Sequence, residues 1–129
     1  MDKAPDGGLT VKAIAKTMSE TIMMAQLCHE RGIACMAADL TVNPILVDWN
    51  KSIAARLAPF PGMQVGMMET NGHQQYRDWE RMANHHPCAG AEWRKVRQGV
   101  FEVDADFYAR SGCILEESAH YRALVTPTV

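Results

Sequence analysis

Gly66-Met67-Met68-Glu69-Thr70-Asn71-Gly72-His73 is the stretch whose reading decides the fold. Met63 to Met68 is short and apolar, as a buried strand is. A carboxylate, a hydroxyl, an amide, a glycine and an imidazole follow it at once. α/β proteins place chemistry at this point, because a rigid strand aims side chains into the crevice at its carboxyl end. Ile33 to Ala38 repeats the design and ends in Asp39-Leu40-Thr41-Val42-Asn43. Helix capping is the competing explanation for such residues, and Asn43 is read as a cap. Glu69 and Asp39 stay open to either role on this pattern alone.

Working outward, Asn43-Pro44 starts a helix, with Pro at its first position and Leu46, Trp49, Ile53 and Leu57 as its apolar stripe. Pro59, Pro61 and Gly62 end it. Upstream, Thr10 is the expected cap of a long helix with Val11, Ile14, Ala15, Met18, Ile22 and Ala25 on one face. Gly32 is the expected stop, and His29 and Arg31 in the last turn suit the helix dipole. Downstream, Tyr76, Trp79 and Ala83 mark the buried side of a third helix that Pro87 closes. The alternation of helix and unalternating apolar strand predicts a parallel α/β arrangement with both sheet faces covered.

From Cys88 the pattern changes. Glu92 to Gln98 reads as a solvated connection carrying Arg94, Lys95 and Arg97. Val100 to Val103 reads as a short strand. Asp104 caps a helical turn through Phe107 and Tyr108 that Gly112 ends. Ile114 to Val125 reads as a helix with Leu115, Ala119 and Leu124 inward.

The bulk numbers narrow the classes. A chain of 129 residues suits one domain. Its 47% hydrophobic and 22% charged residues make it globular. A net charge of -2 without a basic patch argues against a nucleic-acid partner. No apolar run approaches the ~20 residues of a membrane span, and Met1 to Gly8 holds no signal region. A cytoplasmic location is therefore expected. The four cysteines, Cys28, Cys35, Cys88 and Cys113, lack paired C-x-x-C spacing and are expected as free buried thiols.

Residues Lys3 to Pro87 resemble the last third of the (β/α)8 barrel of the enolase superfamily, in its mandelate racemase and muconate-lactonizing branch. Gly7-Gly8-Leu9-Thr10 before a long helix, Gly32-Ile33 opening a strand, and the strand ending in Glu69 after Arg56-Leu57-Ala58-Pro59 carry the likeness. The fold it implies is a partial TIM barrel of about three βα units over residues 1–87. Residues 88–129 form an irregular tail packing back on the barrel. Met1 to Asp6 would end the sixth strand, Ile33 to Ala38 would be the seventh, and Met63 to Glu69 the eighth. A complete barrel takes about 250 residues, so the chain reads as a C-terminal piece.

The chemistry the resemblance implies is removal of the proton next to a carboxylate, giving an enediolate stabilised on Mg²⁺. Outcomes in the family are dehydration, racemisation or cycloisomerisation, often of sugar acids. Its metal ligands sit on the third to fifth strands, so none is expected in this chain. Glu69 matches the acid set against the substrate carboxylate, which requires a protonated carboxyl there or a metal to offset repulsion. Asp39 occupies the place of a seventh-strand histidine base. Lys3 lies near a sixth-strand lysine base. Asn71 and His73 are the expected substrate-binding residues. A small carboxylate substrate and a homo-oligomer are the expected partners, and the chain alone is expected to be inactive. Two other classes remain: a non-catalytic fragment or assembly partner, and a small zinc module using Cys28, His29 and Cys35, or His85, His86 and Cys88.

Overall fold

The structure is a computed structural model and describes residues 7–126. The chain is a mixed α/β protein. Strands β1 (Gly8–Val11), β2 (Ala34–Ala38) and β3 (Met67–Glu69) form one sheet in the order β1-β2-β3. Both pairings are parallel, with Thr10 opposite Met36 and Met36 opposite Met67. Helices α1 (Met18–Glu30) and α2 (Pro44–Ala54) make the two crossovers. Parallel neighbours in sequence order, joined by helices, are what the two apolar runs predict.

Strand alternation divides the sheet into two unlike faces. Leu9, Val11, Cys35, Ala37 and Met68 pack with Met24 of α1 and with Ile53 and Ala54 of α2. The opposite face carries Thr10, Ala34, Met36, Ala38, Met67 and Glu69 by register. Of these only Ala38 is buried; Thr10 and Glu69 are exposed. The helices packed on this sheet are α1 and α2, so the described residues cover one face. Parallel sheets ordinarily have both faces covered.

The first helix starts later than the sequence predicts. Gly8 to Val11 is strand, and Thr17, not Thr10, caps α1 by accepting from the Glu20 N–H. Val11 lies in the sheet core rather than on the helix stripe, and the shift turns Ile22 outward, 52% exposed. Thr21 and Cys28 are buried instead. The expected sixth-strand end at residues 1–6 lies outside the described residues. The third strand is also shorter than expected. Met63 and Val65 are about half exposed in a turn, and pairing starts at Met67. Gly66 explains the abrupt start: a Cβ there would lie 1.9 Å from the Ala54 carbonyl oxygen, so only glycine lets the chain pass α2.

Helix α2 follows its sequence signals. Asn43 Oδ1 accepts from the Ile45 and Leu46 N–H groups, and Pro44 is the first helical residue. Its polar side is not solvated, however. Asp48, Asn50 and Lys51 are as buried as its apolar residues. The reason is the tail, which packs on the side of α2 away from the sheet. The expected third helix is split into α3 (Gly72–Gln75) and α4 (Trp79–Asn84), and Tyr76 between them is exposed.

The tail is more ordered than its composition suggests. Trp93, expected on a solvated connection, is 1% exposed in a 3-10 turn, Glu92–Arg94. Strands β4 (Val96–Arg97) and β5 (Val100–Phe101) form a hairpin around Gln98-Gly99. Both turn residues have positive φ, as a tight hairpin with the strand twist requires. Asp104 caps α5 (Ala105–Arg110), accepting from the Phe107 N–H. Trp93, Phe107, Cys88 and Cys113 form the tail's own core. Cys88 and Cys113 are joined as a disulfide, which corrects the expectation of four free thiols; Cys28 and Cys35 are free. The last helix, α6 (Ala119–Val125), is shorter than expected and does not face inward. Leu115 is 82% exposed, and Ala119 and Leu124 are exposed too.

Candidate functional site

The carboxyl ends of β2 and β3 bring Asp39, Glu69 and Asn71 together. Glu69 is registered with Ala38, and the Asp39 N–H donates to the Glu69 carbonyl at 3.2 Å. Glu69 lies on the uncovered face, because Met68 beside it faces α2. Its carboxylate is exposed at the mouth and enters no ion pair among the described residues.

Asp39 has a different situation. It is 8% exposed, and both carboxylate oxygens accept backbone N–H groups. Oδ1 takes the Thr41 N–H at 3.1 Å and Oδ2 takes the Asn71 N–H at 3.2 Å. The side chain thus ties the loop after β2 to the loop after β3. Thr41, held by this contact and by the Tyr76 hydroxyl on its carbonyl, adopts φ 60°, a costly conformation for a β-branched residue. This bracing gives the mouth a fixed shape. Gly72 tightens it further, since a Cβ there would meet the Val42 carbonyl at 2.2 Å and the Trp79 ring at 2.7 Å.

Thr70 Oγ1 and Asn71 Oδ1 are buried and have no hydrogen-bond partner among the described residues. Unspent polar groups at a strand end are uncommon in folded proteins. His73 points elsewhere: its ring meets the edge of Trp79, 6.3 Å between centroids. It lines an open depression of about 670 Å³ with Tyr76, Arg77, Trp79, Arg81 and Val96. Lys3 lies outside the described residues.

Two hard carboxylate oxygens on Glu69 are the free anionic donors at this mouth, because those of Asp39 hold backbone. That set does not fit Mg²⁺, which demands near-octahedral oxygen coordination. Neither zinc triad assembles. His86 Nδ1 accepts the Cys88 N–H, His85 stacks on His120, and Cys88 is in the disulfide. The Cys88 and Cys113 sulfurs and a Glu116 oxygen lie within 4.8 Å of one another. The sulfurs are bonded to each other, and Arg110 holds both Glu116 oxygens at 2.6 Å, which also keeps that carboxyl below its usual range. Burial pushes the Cys35 thiol up to about 11, and the neighbouring Cys28 adds to it, so Cys35 is not poised as a metal-binding thiolate.

A second polar cluster was not legible as a site. Asp48, 2% exposed, faces Lys51 Nζ at 2.5 Å, His86 Nε2 at 2.9 Å and Arg94 Nε at 3.6 Å. The His86 contact is close but off the line of the ring N–H, so it is an electrostatic contact rather than a hydrogen bond. Lys51 also donates to the Trp93 carbonyl and sits 3.9 Å from the Phe101 ring. Burial lowers its pKa, and Asp48 opposes that shift. The cluster is closed to solvent and joins α2 to the tail; its task is structural. Asp48 and Lys51 lie on the polar side of α2, which a helix ordinarily turns to water, so nothing local announced the cluster.

No helix among the described residues is long and apolar enough to cross a membrane. The sequence matches no protein-family model, and no curated protein or solved structure matches it.

Proposed function

We propose that this chain is the closing part of an enolase-superfamily barrel, of the mandelate racemase and muconate-lactonizing kind. β2 and β3 would be the seventh and eighth strands, and β1, which starts at Gly8 rather than ending at Asp6 as the resemblance implies, would take the sixth place; the reaction would be the removal of a proton next to a carboxylate. The product would be a dehydrated, racemised or isomerised acid, with sugar acids as the substrate class. The observation that carries this reading is the one-sided sheet. Its helix face is packed, while the other face holds the Thr10-Met36-Met67 row and ends in an exposed Glu69. Side chains pointing away from the helices are what a barrel turns toward its interior.

Glu69 would lie against the substrate as the acid the resemblance implies, and Asn71 would bind a substrate oxygen without adding charge. Asp39 holds the two loops in register, so its role is positioning. Lys3, the base the resemblance implies, precedes β1 in the chain, whereas the mouth with Glu69 follows the strands, so the base is left unassigned among the described residues. His73 contacts substrate only where the substrate reaches the Trp79 depression. Mg²⁺ would supply charge stabilisation from ligands outside this chain, and no role described for these residues runs through it. A cytoplasmic location belongs to the same reading. The Cys88–Cys113 bond would then persist there through burial, Cys113 being 0% exposed.

The test is exchange of the substrate α-proton in deuterated buffer with Mg²⁺, followed by NMR over a panel of sugar acids. It uses a polypeptide that joins this chain to preceding barrel strands. Glu69→Gln is expected to lower kcat/KM at least about tenfold, the effect of one lost site interaction. Unchanged kinetics would remove Glu69 from the site. The competing reading, a non-catalytic assembly partner, is favoured by the full commitment of Asp39 to backbone, and it expects no exchange with any acid in the panel.

A further inference from the structure

We propose that His85 and His120 form a pH-sensitive latch that holds the last helix, α6, against α4. The two imidazoles stack with centroids 3.6 Å apart and planes within 7°. Ser118, at the start of α6, donates to the His85 carbonyl at 2.5 Å. Tyr121 sets its ring edge against both imidazoles, at 6.5 and 5.2 Å. Beyond these contacts α6 is exposed: residues 121–126 all face solvent, with Leu124 70% and Val125 79% accessible. The stack is thus the main attachment of this helix.

Neutral imidazoles stack without penalty, whereas two imidazolium rings at this distance repel. No carboxylate pairs with either ring among the described residues to offset a second charge. The charged groups that act on His85 oppose its protonation. Arg81 of α4 lies one turn before His85. On α6, Arg122 is occupied by Glu117 at 2.9 Å. The nearest other histidine, His86, is turned inward to Asp48. At 3.6 Å the repulsion is inside the Debye length, so physiological salt does not remove it.

The direction of the effect follows from the His85 titration. Partial burial, then the facing His120 charge and then Arg81 hold its pKa below the ordinary histidine value. The docked helix therefore binds fewer protons than the undocked one. Docking is at full strength above about pH 6.5, the ordinary value, and is lost as pH falls below it.

Amide hydrogen exchange of α6, corrected for the intrinsic pH dependence, tests this on the intact chain. Protection is expected to fall at least about fivefold between pH 7.5 and 5.0, the least that two unit charges at this spacing give in water. His120→Phe keeps a stacking ring without a second charge. It is expected to hold α6 equally at both pH values and to move the His85 titration, followed by NMR, up towards its ordinary value. His85→Phe should abolish the pH dependence in the same way. Equal protection of the wild type at both pH values would overturn the latch. So would an acid-induced opening in both phenylalanine variants as large as in the wild type.

Discussion

Asp48→Ala is expected to destabilise the protein by about 3–5 kcal/mol, the cost of leaving a buried cation without its partner. Asp48 is the anion that Lys51, His86 and Arg94 converge on, and both it and Lys51 are almost fully buried. Removing it strands the Lys51 ammonium among Trp93, Phe101 and Phe107, where burial already lowers its pKa. Thermal unfolding followed by circular dichroism should show the midpoint falling by more than about 10 °C. The paired variant Asp48→Leu with Lys51→Met keeps the volume and removes both charges. It should recover most of the loss, because a buried ion pair is often no better than a well-packed apolar pair. A loss under about 1 kcal/mol in the single variant would mean that the tail does not hang on this cluster.

Replacing Cys88 and Cys113 together by alanine is expected to cost about 3.5 kcal/mol. The bond spans a sequence separation of 25 residues, and a loop of that length gives the estimate through chain entropy. The closed loop contains Trp93, the β4–β5 hairpin and α5, which are the tail's core. Denaturant unfolding of oxidised wild type against the double variant measures it. A difference below about 1 kcal/mol would show that the Trp93–Phe107 packing holds the tail unaided.

The parallel pairing of β2 and β3 was legible because two unalternating apolar runs flank a helix with a strong cap and proline start. Thr10 misled the reading. Its hydroxyl suits a cap, but sheet pairing with Met36 fixes it in a strand, and Thr17 performs the capping. The sites divide in the same way. The place of Glu69 at the end of β3 is visible in sequence because a lone carboxylate follows an apolar run. The bracing role of Asp39 depends on an N–H 32 residues away, at Asn71, and no local pattern announces it. The Asp48 cluster was hidden because a charge on a helix normally faces water, and only the tail's return over α2 buries it. Leu115 and Leu124 failed as core residues because α6 is too short and too loosely attached to bury a face.

On the proposed reading, the sheet face carrying Thr10, Met36, Met67 and Glu69, which the described residues leave without a covering helix, would be a barrel interior. Size-exclusion chromatography with light scattering, at tens of micromolar chain, tests it most directly. An open apolar face on a parallel sheet promotes association, so a mass above the 14.3 kDa of one chain is expected. Met36→Glu with Met67→Glu, which charges that face and leaves the helix side untouched, should return the mass towards one chain. A wild-type monomer at that concentration, with a single sharp unfolding transition, would contradict the claim.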